Sequence, residues 1–505
     1  MLATVSTAVV QGVDGHPVTV EVHVSNGLPG YTLVGLPDAS CRESRDRVRA
    51  AVLSTGLKWP DRRVTINLAP TGLRKQGAAL DLPIALGVLA ASGQIDTAAM
   101  RAYGAVGELG LDGAIRPVAG LVSLADAIEA DEIFVPRSGA EQAAVVRPGQ
   151  VRAAVTLGEI VAALLGSEPL PPIVEPLPGP SAEVRAGDLS DVRGQPLARW
   201  ALEISAAGGH HLLMIGPPGA GKTMLASRLV GLLPDLDAAQ ALLTTRVHSA
   251  AGLAVPPGGL VERPPFRAPH QGSSAVAMLG GGSAAMRPGE ISCAHNGVLF
   301  LDELGEFSVP ILDALRQPLE EGVIRVSRAA RAVTLPARFL LVAAMNPCPC
   351  GEGAQDGHCR CSDAARARYS RRLSGPLLDR FDLRIDVQPP TASVLLDGGG
   401  EESSVAVAER VAEARRRAAS RGVRCNADLP AHCLDDVAPL APAARTLLRK
   451  VLEAGELTGR GLRRIRTVAR TIADLNGEGD EVSVDTIHAA LALRAQPRTV
   501  LGVAS

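Results

Sequence analysis

Aromatic residues make up only 2% of the 505-residue chain, which excludes a broad surface of stacked rings of the kind that grips single strands along their length. Lysine is nearly absent as well: Lys58, Lys75, Lys222 and Lys450 are the only four among 51 basic residues. Charge of one sign is also lacking. A formal net charge of −2 provides no global field for a polyanion, so any nucleic-acid surface must be local. No apolar run reaches the roughly 18 residues of a membrane span. The start, Met1, Leu2, Ala3, Thr4 and Val5, lacks the basic opening and long apolar core of a secretion signal. A cytoplasmic protein with no membrane partner is expected, and in that compartment the eight cysteines read as thiols or metal ligands rather than a disulfide framework.

What is present is ordinary globular composition, 46% hydrophobic and 21% charged, in a chain too long for one core; about two to four domains follow. The sharpest signal is Gly216, Pro217, Pro218, Gly219, Ala220, Gly221, Lys222 and Thr223. It fits G-x-x-x-x-G-K-[ST], follows an apolar run from His211 to Ile215 and precedes the helix-spaced Met224–Val230. Glycines there let backbone N–H groups wrap a polyphosphate, Lys222 reaches the β/γ-phosphates, and the Thr223 hydroxyl serves Mg²⁺. ATP and Mg²⁺ are the expected cofactors.

Composition divides the rest. Residues 1–165 mix strand and helix patterns: Val18, Val20, Val22 and Val24 alternate with polar residues, and Leu82–Ala91 reads as a buried helix. Residues 166–185, rich in proline, form a linker. Residues 186–390 carry the nucleotide chemistry. Residues 391–404, with Gly398, Gly399 and Gly400, read as a flexible connector, and residues 405–505 are helical in pattern. That last segment holds 16 Arg/Lys against 12 Asp/Glu, a slight excess that describes solvated helix faces as well as a DNA contact.

Within 186–390, the apolar strand Val298–Leu301 ends in Asp302 and Glu303. Such a pair suits Mg²⁺ ligation by Asp302 and polarisation of the attacking water by Glu303. A second apolar run, Phe339–Met345, ends at Asn346, whose amide can orient that water. Leu378, Asp379, Arg380 and Phe381 supply a candidate arginine finger, and Arg460 opens a later helix as a candidate lid residue over the nucleotide. Each arginine reads equally as a surface helix residue. Cys348 and Cys350, then Cys359 and Cys361, form C-x-C…C-x-C. Four thiols this close match tetrahedral Zn²⁺, with His358 as a substitute ligand, although the spacing is tighter than usual; four reduced thiols in an exposed insertion is the alternative.

Taken in order, these motifs resemble AAA+ ATPases and, more narrowly, the magnesium-chelatase-like YifB/ComM family. The resemblance extends to Asp188–Gln195, Phe266–Gln271, Pro288–Gly297, Leu315–Glu320 and Ala343–Gly351. It implies an α/β chain with three parts: an N-terminal Lon-protease-like (S5 domain 2-like) α+β domain, a central AAA+ P-loop α/β domain and a C-terminal helical lid. It also implies an insert over Phe266–Gly289 whose Gly280, Gly281 and Gly282 face a ring pore.

The Lon-like resemblance, in a version also found in the recombination ATPase RadA, rests on Lys75–Ala85 and Gly107–Gly120. Where the Lon pattern carries its serine this chain has Gly77, Ala78 and Ala79; where it carries its lysine this chain has Val122 and Ser123. A Ser–Lys protease needs both groups, so no peptidase activity is expected. The family implies a homo-hexameric ATPase ring, completed at each site by Arg380 of the neighbour. The ring would act on single-stranded or branched DNA as a branch-migration motor or helicase in recombination or natural transformation. A protein remodeller, a chelatase-type motor and an ATP-gated scaffold are the rival readings.

Overall fold

The computed structural model describes residues 1–173, 187–282, 286–328, 331–352, 359–397 and 399–494. The N-terminal part is built on a seven-stranded mixed sheet in the order Gly30–Val34, Arg63–Ala69, Asp14–Ser25, Leu2–Gln11, Tyr103–Ala105, Glu132–Pro136, Val151–Ala154. The first hairpin pairs Leu2 with His23 and Gln11 with Asp14. Val18, Val20, Val22 and Val24 all point inward, as their period of two predicts. Every residue of the helix Asp81–Ala91 is buried, so an almost wholly apolar sequence becomes the centre of this core rather than an amphipathic surface helix.

The second body is a five-stranded sheet ordered Phe266–Arg267, Val298–Leu301, Leu340–Met345, Leu212–Ile215, Leu383–Asp386. All its pairings are parallel. Leu212 and Met214 face one hydrophobic core while Leu213 and Ile215 face another. Phe300 and Leu301 divide in the same way. A sheet covered on both faces needs continuous apolar strands, and each fully buried Leu, Ile or Phe side chain contributes about 1.5–3 kcal/mol. The chain is α/β with a helical C-terminal part. The helices Ser404–Ser420, Pro442–Glu453, Gly459–Leu475 and Val484–Ala492 close the first of these cores through Val411, Leu448, Val468 and Ile487.

The two connectors are described in part. Residues 391–404 include the helix Ala392–Asp397. Beyond it, Ser404 is pinned: its hydroxyl accepts from the Leu189 amide at 2.7 Å and its amide donates to Asp188 at 3.1 Å. Glu401 accepts from the Gly194 amide at 2.9 Å. Polar residues that look like a solvated linker are here hydrogen-bond partners for the start of the ATPase body. At the other connector, Ile173 donates to Val151 at 3.0 Å and extends the edge of the N-terminal sheet; residues 174–186, including Pro176, Pro178 and Pro180, lie outside the described residues.

The two bodies are docked. Gly120 donates to Ser249 at 2.7 Å, Arg246 pairs with Asp126 at 2.7 Å, and Val13 of the first hairpin packs into the second core of the ATPase body. Among the described residues no helix is long and apolar enough to cross a membrane.

Candidate active site

The phosphate loop joins the strand Leu212–Ile215 to the helix Lys222–Arg228. Gly219 and Gly221 hold φ of 80° and 85°, the left-handed region a loop needs to aim successive N–H groups into one cradle. Lys222 folds back onto the loop: its Nζ donates to the Gly216 carbonyl at 2.6 Å, the Pro217 carbonyl at 2.9 Å and Asn346 Oδ1 at 3.2 Å. Burial pulls the Lys222 ammonium below its usual range, while Asp302 and Glu303 pull the other way. Lysine and strand-end asparagine, 124 residues apart in sequence, therefore meet in space.

Thr223 Oγ1 donates to Asp302 Oδ2 at 2.7 Å. In an Mg²⁺ shell with Mg–O near 2.05 Å, neighbouring oxygens stand about 2.9 Å apart, so the two side chains fit adjacent ligand positions. Glu303 is exposed and adopts φ 51°, ψ 50°. That left-handed conformation costs a non-glycine residue about 1–2 kcal/mol. Its amide bonds to Asp302 Oδ1 at 2.9 Å. Thr223, Asp302 and Glu303 open onto a cleft of about 580 Å³ that His270 and Gln271 also line. The residues thus fit a magnesium-bound triphosphate: a loop of amides, a cation on a lysine, two oxygen ligands and a free carboxylate.

Arg380 lies elsewhere. It precedes the strand Leu383–Asp386, whereas the phosphate loop follows the parallel strand Leu212–Ile215. A four-residue strand at about 3.3 Å per residue separates the two ends by roughly 13 Å. Arg380 is 8% exposed. It donates to the Pro376 carbonyl at 2.6 Å and to Glu320. Arg464 braces it by donating at 2.6 Å to its carbonyl and at 2.6 Å to Asp382. Arg338, Arg424, Arg460 and Arg463 line the same cleft, of about 460 Å³.

Arg460 therefore does not close over the phosphate loop of its own chain, contrary to its reading as a lid residue there. The helical part packs against the sheet with the start of Gly459–Leu475 at the N-terminal ends of the strands. Arg464, one turn beyond Arg460 on the same helix, is given no role by its sequence; its contacts with Arg380 and Asp382 distinguish it from its neighbours.

The four thiols converge. Cys348, Cys350, Cys359 and Cys361 place their Sγ atoms within 4.8 Å of one another, and backbone amides, that of Glu352 foremost, push the Cys350 thiol down to about 6. His358 lies outside the described residues. The Gly280–Gly281 strand pairs with Arg287–Pro288 as a hairpin, with residues 283–285 of its tip outside the described residues. A longer antiparallel hairpin, Val323–Arg328 with Arg331–Pro336, went unread in the sequence, although Val323–Pro336 carries strand-forming alternation. In the N-terminal body, Ser123 donates to the Val13 carbonyl at 2.6 Å and Ala79 offers no nucleophile.

Comparison with known proteins agrees with this layout. Residues 188–395 match the family described as magnesium chelatase, subunit ChlI. Residues 20–138 match subunit ChlI of Mg-chelatase, and residues 401–494 match the ChlI C-terminal region. The protein YifB of Escherichia coli is 44% identical over 513 residues, covering 99% of this chain and 98% of its own length. The competence protein ComM of Haemophilus influenzae is 44% identical over 504 residues, 98% of each. Lon protease 2 of Bacillus subtilis is 32% identical over 164 residues, 29% of this chain and 27% of its own.

Proposed function

The chain belongs to the magnesium-chelatase-like AAA+ family of YifB and ComM proteins, and from that premise we propose that it is an ATP-hydrolysing ring motor acting on DNA. One observation carries the ATPase: Lys222, Thr223, Asp302, Glu303 and Asn346 converge at one end of a parallel sheet while Arg380 stands at the other. In this reading Lys222 leaves the loop carbonyls for the β/γ-phosphates. Thr223 and Asp302 would hold a magnesium ion, which would supply positive charge against the phosphates. Glu303 accepts the proton of the attacking water and Asn346 orients that water. Arg380 of a neighbouring subunit meets the charge that develops on the transferred phosphoryl group. Zinc at the four thiols belongs to the same reading.

The geometry supports a head-to-tail ring, because a site and its finger at opposite ends of one chain can meet only between copies. DNA as the track and a role in transformation draw support from the similarity to the competence protein ComM and from the strands Val323–Arg328 and Arg331–Pro336, whose sequence places arginines at 325, 328 and 331; six subunits and recombination are what the family resemblance implies. ATPase rate measured with and without forked or four-way DNA, beside a branch-migration assay, tests this. Stimulation that weakens with salt is expected. Equal rates with no salt-sensitive binding would remove DNA and leave protein remodelling as the reading to pursue.

A further inference from the structure

Residues 346–352 and 359–372 lie along the phosphate end of the sheet. Asn346 closes its strand, and Cys348, two residues on, is 2% exposed. Gly351 follows at φ +89°, and a Cβ there would come within 2.6 Å of Pro218 Cδ, so this loop lies directly on the phosphate loop. Beyond the second thiol pair, the helix Asp363–Arg371 is capped by Ser362. Its Tyr369 is buried, lies near the Asn346 backbone and covers Gly305, where a Cβ would meet the ring at 2.7 Å. Arg372 then donates to the Gly305 carbonyl at 2.8 Å and to Glu306 at 2.7 Å. One short segment thus touches the phosphate loop, the Asn346 strand end and the turn that carries Glu303.

Few apolar side chains hold that segment in place. Cys348 and Tyr369 are buried, while Cys350, Glu352, Arg360, Ser362 and Asp363 are exposed. The sulfur atoms supply what the core does not. Cys348 and Cys350 are 3.3 Å apart, and each is 3.7 Å from Cys359. A disulfide would need about 2.05 Å. A tetrahedron with Zn–S of 2.3 Å has edges of about 3.8 Å, which these separations approach. Arg366, 3.9 Å from the Cys359 sulfur, supplies positive charge beside the cluster.

We propose that the four thiolates bind one zinc ion and that this closed metal site is a positioning element of the ATPase, holding Asn346 and the Pro218 side of the phosphate loop in register with Glu303. The proposal rests on the ATPase reading above. Four sulfur ligands leave no open coordination position, so the metal acts only through the elements it ties together.

The test uses the full chain, purified without added metal. About one zinc per chain is expected. Removal with a chelator that prefers zinc to magnesium, 1,10-phenanthroline, is expected to lower kcat about tenfold or more. Affinity for an ATP analogue and the thermal melt of the ATPase body should hold, and added zinc should restore kcat. Gly351→Ala keeps all four thiols and is expected to retain zinc, yet to lower kcat in the same direction by pressing on Pro218. It reports on the coupling even if the stripped protein unfolds. Absence of zinc overturns the metal site. Zinc that can be removed without change in kcat, or a Gly351→Ala protein with full kcat, overturns the positioning role while hydrolysis, and so the ATPase reading, persists. A zinc-loaded chain that hydrolyses no ATP sinks the ATPase reading itself.

Discussion

The two ends of the ATPase sheet are chemical opposites. At the C-terminal ends of the strands stand the glycine loop, Lys222 and two exposed or half-exposed acids, Asp302 and Glu303. At the N-terminal ends, Arg338, Arg380, Arg424, Arg460, Arg463 and Arg464 line one cleft. Neither end is a complete hydrolytic site. The first has the exposed Glu303 carboxylate, and the one guanidinium that lines its cleft among the described residues, Arg228, is paired with Asp191 at 3.1 Å; the second has guanidinium groups but no phosphate cradle. Under the proposed reading, their separation along the strands would make assembly a condition of catalysis, because a rigid parallel sheet cannot bring its own two ends together.

Removing the arginine end should show the largest effect. Arg380→Ala is expected to lower kcat about a thousandfold while leaving ATP binding at the loop intact, since Arg380 lies across the sheet from it. In rings mixed with Glu303→Gln subunits, activity should return, because one partner then supplies the carboxylate and the other the arginine. Mixed rings no more active than either parent would break the two-ended picture. Glu303→Gln by itself is expected to cost about a hundredfold or more in turnover with nucleotide retained, read by single-turnover hydrolysis and a binding titration. Unchanged hydrolysis would move the base elsewhere in the cleft.

A subtler test sharpens how the arginine end is built. His211 Nδ1 accepts from the Leu341 amide and His295 Nδ1 from the Arg338 amide, both at 3.0 Å. Burial pushes each imidazole down to about 4. Their unfolded value is near 6.5, so the unfolded chain takes up protons first as pH falls. Their stabilising contribution is whole above about pH 6.5 and is lost as pH falls toward 4. Between pH 7.5 and pH 5 each should cost about 2 kcal/mol of stability, measurable by urea titration of the full chain. A His211→Gln variant should lose part of that slope, and an unchanged slope would dissociate His211 from it.

The phosphate end was legible because its chemistry is local. The spacing from Gly216 to Thr223 is one loop, and Asp302 and Glu303 follow their strand without a gap. The apolar runs Val298–Leu301 and Phe339–Met345 identified buried strands, and the cysteine spacing pointed to one cluster. What stayed hidden depended on direction or on distant partners. Arg464 reads as one arginine among several until it is seen bonded to Arg380 and Asp382. Arg460 reads as a lid until the packing of its helix puts it at the far end of the sheet. The acids at 401 and 402 read as linker residues until Arg199 and Arg410 meet them.

By itself, then, the amino-acid sequence determined which groups this protein has that fit a triphosphate, because loop backbone, lysine, hydroxyl and acids are set by short-range spacing. It also determined that Gly77, Ala78 and Ala79, and Val122 and Ser123, stand where the Lon pattern carries its serine and lysine, since residue identity needs no fold. Only the tertiary structure decided which end of the sheet each arginine occupies and that the thiol-bearing loop rests on Pro218. Those facts follow from parallel strand order and helix packing, which sum many weak contacts over hundreds of residues and leave no local trace at any one of them.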